Sequence, residues 1–310
     1  MSYNTMEKYI PQTRPHPGET LTEKLEEMNM GPKEFALRTG KPEKTIIAVM
    51  NGKSAITPDM AVQFEQVTLI PANFWMNHQR GYDEFIARVK RKKAITAAIP
   101  WAKKFPLAEM IRKGWLPATK NIEEKTTELL NFFSFSNHTG WEDYYFKQQL
   151  KVAFRISLKK TVDPYAISAW LRKGELQAKE LRAEPFSLID FKAALPELQQ
   201  IMRKQRKDSF SQVQKICLSI GVKVVITPGI NKVPISGSTR WIKDTPLIQL
   251  SDKFKNTDAF WFTFFHEIGH ILLHGKKDIF LEKVEYSDKQ QNQEEEADAF
   301  AWNFVVGTSL

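Results

Sequence analysis

The sequence predicts an α+β chain that is mainly α, with a helix-turn-helix unit at its amino end, a helical middle region, and a small antiparallel sheet beside one long apolar helix at its carboxy end. Three observations carry this. Short helix-like runs punctuated by Gly and Pro fill residues 17–93. Three strand-like runs, VKVVIT, VPISGSTRWI and PLIQLS, follow one another between 222 and 251. Residues 259–274, AFWFTFFHEIGHILLH, hold no Pro and one Gly in an apolar stretch of helical length.

At 310 residues the chain is too long for one ordinary core, and the texture divides it at 1–93, 94–208 and 209–310. An apolar content of 42% is that of a globular protein. No apolar run approaches the ~18 residues of a membrane helix, and the first residues lack the basic-then-apolar layout of a signal peptide. A cytoplasmic protein with no membrane partner is expected. The single cysteine, Cys217 in KICLSI, rules out a disulfide framework and a Cys-rich metal site, and its apolar setting marks it as core. Net charge is +9, of which +7 falls in 94–210. That basic excess is compatible with nucleic acid but reads first as a solvated helix face.

From the amino end, Pro17-Gly18 leads into a helix with Leu21, Leu25 and Met28 at helical spacing, stopped by Gly31. Residues 32–39 and 42–51 form two short helices around Gly40, and the spacing predicts a helix-turn-helix whose second helix enters a major groove. Thr57-Pro58 caps a fourth helix, and a fifth spans 72–91. Residues 16–83, with HPGETLTEKLEEMNM, ITPDMAVQFEQ and NFWMNHQRGYDE, resemble the DNA-binding antitoxins of the HigA type within the XRE helix-turn-helix family. The resemblance implies contact with double-stranded operator DNA through Lys41, Glu43, Lys44 and Thr45, with Lys53 on phosphate. Ile47 and Ala48 depart from the pattern, standing where polar base-reading residues are usual. A homodimer is expected by fold-level analogy.

The middle carries no chemical motif. It reads as helices at 122–133, 141–155, 164–181 with Asp163 as cap, and one beginning after Ser187, with Trp170, Leu171, Phe191 and Leu195 as core. A further helix at 210–220 ends at Gly221 and the sheet follows, able to hold a peptide along its edge.

His266, Glu267 and His270 form an H-E-x-x-H. On a helix the two histidines lie one turn apart on one face and can bind one Zn2+, with Glu267 beside the open coordination position as general base. A catalytic site of this kind needs a third protein ligand. Residues 293–302, QEEEADAFAW, offer Glu294, Glu295 and Glu296. Glu294 and Asp298 stand four apart, so Glu294 can bind the metal while Asp298 supports a ligand histidine. Glu295 and Glu296 read better as a solvated acidic turn. Arg240 is a guess for the oxyanion donor.

FWFTFFHEIGHILLH followed by EEEADAFAWNF resembles the ImmA/IrrE zinc metallopeptidases, which implies a zincin-like domain with His266, His270 and Glu294 as zinc ligands, Glu267 as general base and His274 in support. Past residue 302 the sequence leaves that family's LLxP-like continuation, so part of the cleft is expected to be built differently. The expectation is a DNA-binding regulator with a zinc endopeptidase domain acting on a repressor or toxin-antitoxin component. The alternative is a repressor or antitoxin whose zinc domain binds a toxin or signal without proteolysis.

Overall fold

The computed structural model describes residues 13–145, 163–231, 235–276, 280–281 and 288–306, with no side chains described at 280–281 and 288–290. Two compact units are present, Met1–Thr96 and Ala97–Leu310. Residues 146–155 of the helix expected over 141–155 lie outside the described residues. Among the described residues, no helix is long and apolar enough to cross a membrane.

The first unit is built from α1 (Pro17–Glu27), α2 (Pro32–Thr39), α3 (Glu43–Met50), α4 (Pro58–Thr68) and the start of α5 (Ala72–Ala102). The His16 side chain caps α1 in a reciprocal box with Glu19, and Thr57 caps α4. Gly40 takes φ 67° at the end of α2, and Lys41 N–H returns to the Ala36 carbonyl at 3.0 Å. This left-handed ending turns the chain sharply into α3. Leu21, Phe35, Ile46, Val49, Phe64 and Trp75 close the core. Helix α5 runs eleven residues past its expected end at 91, because Lys92, Lys93, Ala94, Ala97 and Ala98 favour helix and no Gly or Pro interrupts it before Pro100.

The second unit holds α6 (Leu107–Arg112), α7 (Ile122–Phe133), α8 (His138–Tyr144), α9 (Pro164–Lys179), α10 (Leu188–Lys204) and α11 (Ser209–Ser219). Then come β1 (Lys223–Thr227), β2 (Gly237–Ile242), β3 (Thr245–Ser251), α12 (Thr257–Leu273), β4 (Phe280–Leu281) and α13 (Asp288–Val305). Asp163 and Ser187 cap α9 and α10 as read from sequence. The sheet order is β1-β3-β2-β4.

The sheet is mixed rather than wholly antiparallel. β2 pairs antiparallel with β3 and with β4, while β1 pairs parallel with β3. The tight turn at Lys243 and Asp244 forces β3 back along β2, and β1 then lies on the other edge of β3 in the same direction. Helix α9 covers one face: Trp170 Nε1 donates to the Thr227 carbonyl at 3.3 Å, and Gln249 Nε2 to the Trp170 carbonyl at 2.7 Å. Helix α12 covers the other, with Phe264, Phe265 and Ile268 packed on Val224, Ile248 and Leu250. β3 is therefore buried almost throughout. Cys217 is core, its thiol pushed up to about 12 by burial.

Gly221 links α11 to β1 at φ +83°, and a Cβ there would lie 2.3 Å from Phe186 Cα and 2.6 Å from the Pro185 carbonyl carbon. Both the left-handed backbone and the absent side chain are required. Gly221→Ala should destabilise the second unit by roughly 2–4 kcal/mol and lower its Tm by roughly 5–15 °C in a thermal melt; an unchanged Tm would count against this packing.

Candidate metal centre and nucleic-acid interface

Asn256 caps α12 by accepting from Ala259 N–H at 2.8 Å. The helix is buried from Thr263 to Ile271, and α13 crosses it closely. A Cβ on Gly269 would sit 3.2 Å from Ala297 Cα and 3.4 Å from Phe300 Cβ. Small residues at 269 and 297 thus let the helices approach, and Phe262 against Trp302 (5.2 Å) and Phe265 stacked on Phe304 (4.9 Å) hold the crossing. Its consequence is that Glu294 reaches both histidines.

His266 Nε2 lies 3.0 Å from His270 Nε2 and 3.2 Å from Glu294 Oε2, and His270 Nε2 lies 3.5 Å from Glu294 Oε1. A tetrahedral zinc site with bonds of about 2.0–2.1 Å has ligand edges of about 3.3 Å. The three donors fit such an ion, and they form a group of His and Glu side chains able to hold a metal.

The remaining ring nitrogens determine which lone pairs face inward. His266 Nδ1 lies 2.8 Å from Asp298 Oδ1, so its N–H points at that carboxylate. His274 Nε2 donates to Glu296 Oε2 at 3.0 Å, which leaves His274 Nδ1 to accept from His270 Nδ1 at 2.9 Å. Both buried ligand rings therefore aim Nε2 lone pairs at one point. Two such lone pairs at 3.0 Å repel unless a cation lies between or beside them.

Titration reflects this without a metal. Burial works to lower the pKa of His266, yet hydrogen bonds to Asp298 and Glu294 and the charge of Glu267 raise it to about 10. Burial and the charge of His266 and His274 take His270 down to about 4, against the pull of Glu294. Burial works to raise Glu294, but the hydrogen bonds to His266 and His270 hold it below the usual carboxylate value. The opposed shifts favour one proton shared among these three groups.

Glu267 is fully buried beside strand β2. Thr239 Oγ1 donates to the Glu267 carbonyl at 3.0 Å, and a Cβ on Gly237 would lie 2.3 Å from Glu267 Oε1. The strand keeps residue 237 bare for that carboxylate. Arg240 is not there. Strand alternation puts it with Ser238 on the opposite face, where Arg240 Nη2 donates to the Leu171 carbonyl at 2.6 Å and Nε lies 3.8 Å from Glu175 Oε1. The guess that it stabilises an oxyanion is overturned by this placement.

Glu296, expected in a solvated acidic turn, is exposed but also accepts from His274, which lies two turns from His266. Sequence reading missed Gly237, Thr239 and Gly269, which no local pattern marks.

On α3, Ile46 and Val49 point inward while Glu43 and Lys44 are exposed and Thr45 partly so. Lys53 is exposed just beyond the helix. Lys41 is held by an ion pair with Asp59 on α4. Glu43, Lys44 and Thr45 thus share the open first turn, with Lys41 tethered at its edge.

The chain is 32% identical over 68 residues to the HTH-type transcriptional regulator YddM of Escherichia coli (strain K12), covering 22% of this chain and 72% of that protein. The chain belongs to the HTH-type transcriptional regulators. Residues 217–309 of this regulator match the IrrE N-terminal-like domain family, a peptidase family. Among solved structures, a HigA-family addiction module antidote protein from Coxiella burnetii is 33% identical, with 27% of this chain and 95% of that one covered and a TM-score of 0.26. The Pseudomonas aeruginosa antitoxin HigA with its higBA promoter is 29% identical, with 26% and 89% covered and a TM-score of 0.26.

In the metal-free regulator, 15N-histidine NMR should find His266 charged until pH nears about 10 and His270 neutral until pH nears about 4. The linkage has two signs. The contribution of His266 to stability is full below about 6.5 and lost as pH rises toward about 10, whereas His270 opposes folding as pH falls from about 6.5 toward about 4. Two ordinary titrations near 6.5 would contradict the shared-proton site.

Proposed function

We propose that this chain is a DNA-binding regulator whose carboxy-terminal domain holds Zn2+ on His266, His270 and Glu294 and hydrolyses a peptide bond in a protein partner, a repressor or a toxin-antitoxin component. The observation that carries the reading is the convergence of two imidazole Nε2 atoms and one carboxylate within 3.0–3.5 Å, each ring held by a hydrogen-bonded partner behind it. When bound, zinc supplies Lewis acidity to such a site. Glu267 accepts the proton of the attacking water and passes it to the leaving amine. Its burial keeps the carboxylate away from bulk water, Gly237 leaves room for it, and Thr239 holds the Glu267 backbone carbonyl. Asp298 orients His266, while His274, braced by Glu296, orients His270.

The amino-terminal helices bind operator DNA, with Glu43, Lys44 and Thr45 at the groove and Lys53 on phosphate, in a homodimer located in the cytoplasm. Support comes from the family membership and from the open first turn of α3.

One observation favours a second reading. β4 pairs with β2 at Ser238 and Thr239, on the strand that runs past Glu267. That edge is the one an extended peptide would use, so a regulator whose zinc domain senses a toxin or signal without cutting is the alternative.

Glu267→Gln separates them. The variant should keep one zinc per chain by elemental analysis and keep DNA binding, while its partner protein accumulates uncut in cells. If cellular proteins are indistinguishable from wild type, proteolysis is not the function and the sensing reading stands. For DNA, the full chain should shift its promoter fragment with an affinity that falls as salt rises. Lys53→Gln should weaken all duplexes alike and reduce the slope of log K against log salt by about 1; no shift at low salt would sink the DNA reading.

A further inference from the structure

We infer that Ile47 reads a thymine methyl group in the operator. The inference rests on the DNA-binding reading above and names what the second helix of the helix-turn-helix recognises.

Helix α3 spans eight residues and buries Ile46 and Val49 against the unit's core. Its outward positions are Glu43 and Lys44 in the first turn and Ile47 one turn on, with Thr45 and Ala48 partly open beside them. Ile47 is 40% exposed and is not among the described residues that form the core of this unit. The middle of the outward face thus carries methyl groups and no hydrogen-bonding atom.

Base edges in the major groove respond to such a face unequally. Guanine and adenine present acceptors, with a further donor on adenine, and cytosine presents a donor. Covering any of these with an isoleucine removes water from a polar atom and returns no hydrogen bond. Thymine alone places an apolar group, its C5 methyl, in that groove. The apolar position therefore does not abolish discrimination; it moves discrimination from hydrogen bonding to burial of one methyl. Lys44 lies three residues before Ile47 on the same face, and Lys53 is exposed beyond the helix. Lys53 can hold the backbone while Lys44 and Ile47 meet the groove.

The test uses the full chain and duplexes selected from a random library by that chain. Each thymine of a selected duplex is replaced singly by deoxyuridine, which deletes only the methyl group. Wild type should lose about three- to fivefold in affinity at one thymine per half-site, the value of one buried methyl. Ile47→Ala should bind the unmodified duplex more weakly and lose its sensitivity to deoxyuridine at that same position. Because Ile47 lies outside the core, the Tm of the variant should match wild type, which separates recognition from folding. If selected duplexes bind but no single deoxyuridine lowers affinity, or if Ile47→Ala keeps the same sensitivity, the inference is overturned while DNA binding stands. If no duplex is enriched or shifted at low salt, the DNA-binding reading falls and takes the inference with it.

Discussion

Two imidazole lone pairs 3.0 Å apart in a buried helix interface are the constraint on which the second unit turns. With both rings neutral they repel in a medium that screens poorly, which a shared proton relieves. The arrangement suits a cation, because Glu294 supplies a negative charge to the same point. Asp298 and the His274–Glu296 pair keep both rings from turning their N–H groups inward. Close crossing of α12 and α13 at Gly269 and Ala297 makes this geometry attainable. Under the proposed zinc reading, metal binding and the docking of α13 would be parts of one equilibrium, because Glu294 comes from α13 and both histidines from α12.

Strand β2 extends that constraint through the sheet. Its residues 237 and 239 serve Glu267, and residues 238 and 240 serve α9. Behind the sheet, Arg172 donates to the Phe132 carbonyl at 2.9 Å and to Glu175 at 2.9 Å, while Arg240 shares that carboxylate at 3.8 Å. Burial lowers the pKa of Arg240, and the Glu175 charge opposes that shift. Buried charges tied to backbone carbonyls in two helical segments resist sliding of β2, because a displaced guanidinium would lose its partners without gaining water. The helices before the sheet thereby help to fix where the Glu267 carboxylate stands.

Much of this was legible from local chemistry. Helix starts at Pro17, Pro58, Pro164 and Leu188 follow from a capping side chain or a Pro that needs no N–H donor, and these signals are complete within four residues. The pairing of His266, His270, Glu294 and Asp298 was readable because helical periodicity puts i and i+4 on one face. The parallel pairing of β1 with β3 was not, since strand order depends on how a connection travels and not on the strands' own residues. Arg240 shows the intermediate case. Period two says that 238 and 240 share a face, but only the contacts of Thr239 and Gly237 say which face belongs to α12.

The helix-turn-helix carries a similar lesson about charge. The family resemblance implies Lys41 as a DNA contact, yet Asp59 holds it. An ammonium in an ion pair must give up that partner, or share it, before meeting a phosphate, so its contribution to affinity is smaller than that of exposed Lys44 or Lys53. With few free cations at the face of α3, a single copy has little sequence-independent grip. Binding on the proposed operator then leans on the base-facing residues, and the proposed homodimer would add to it, since joint affinity multiplies where each copy alone is weak. A face so built favours discrimination through the shape of its contacts more than through charge.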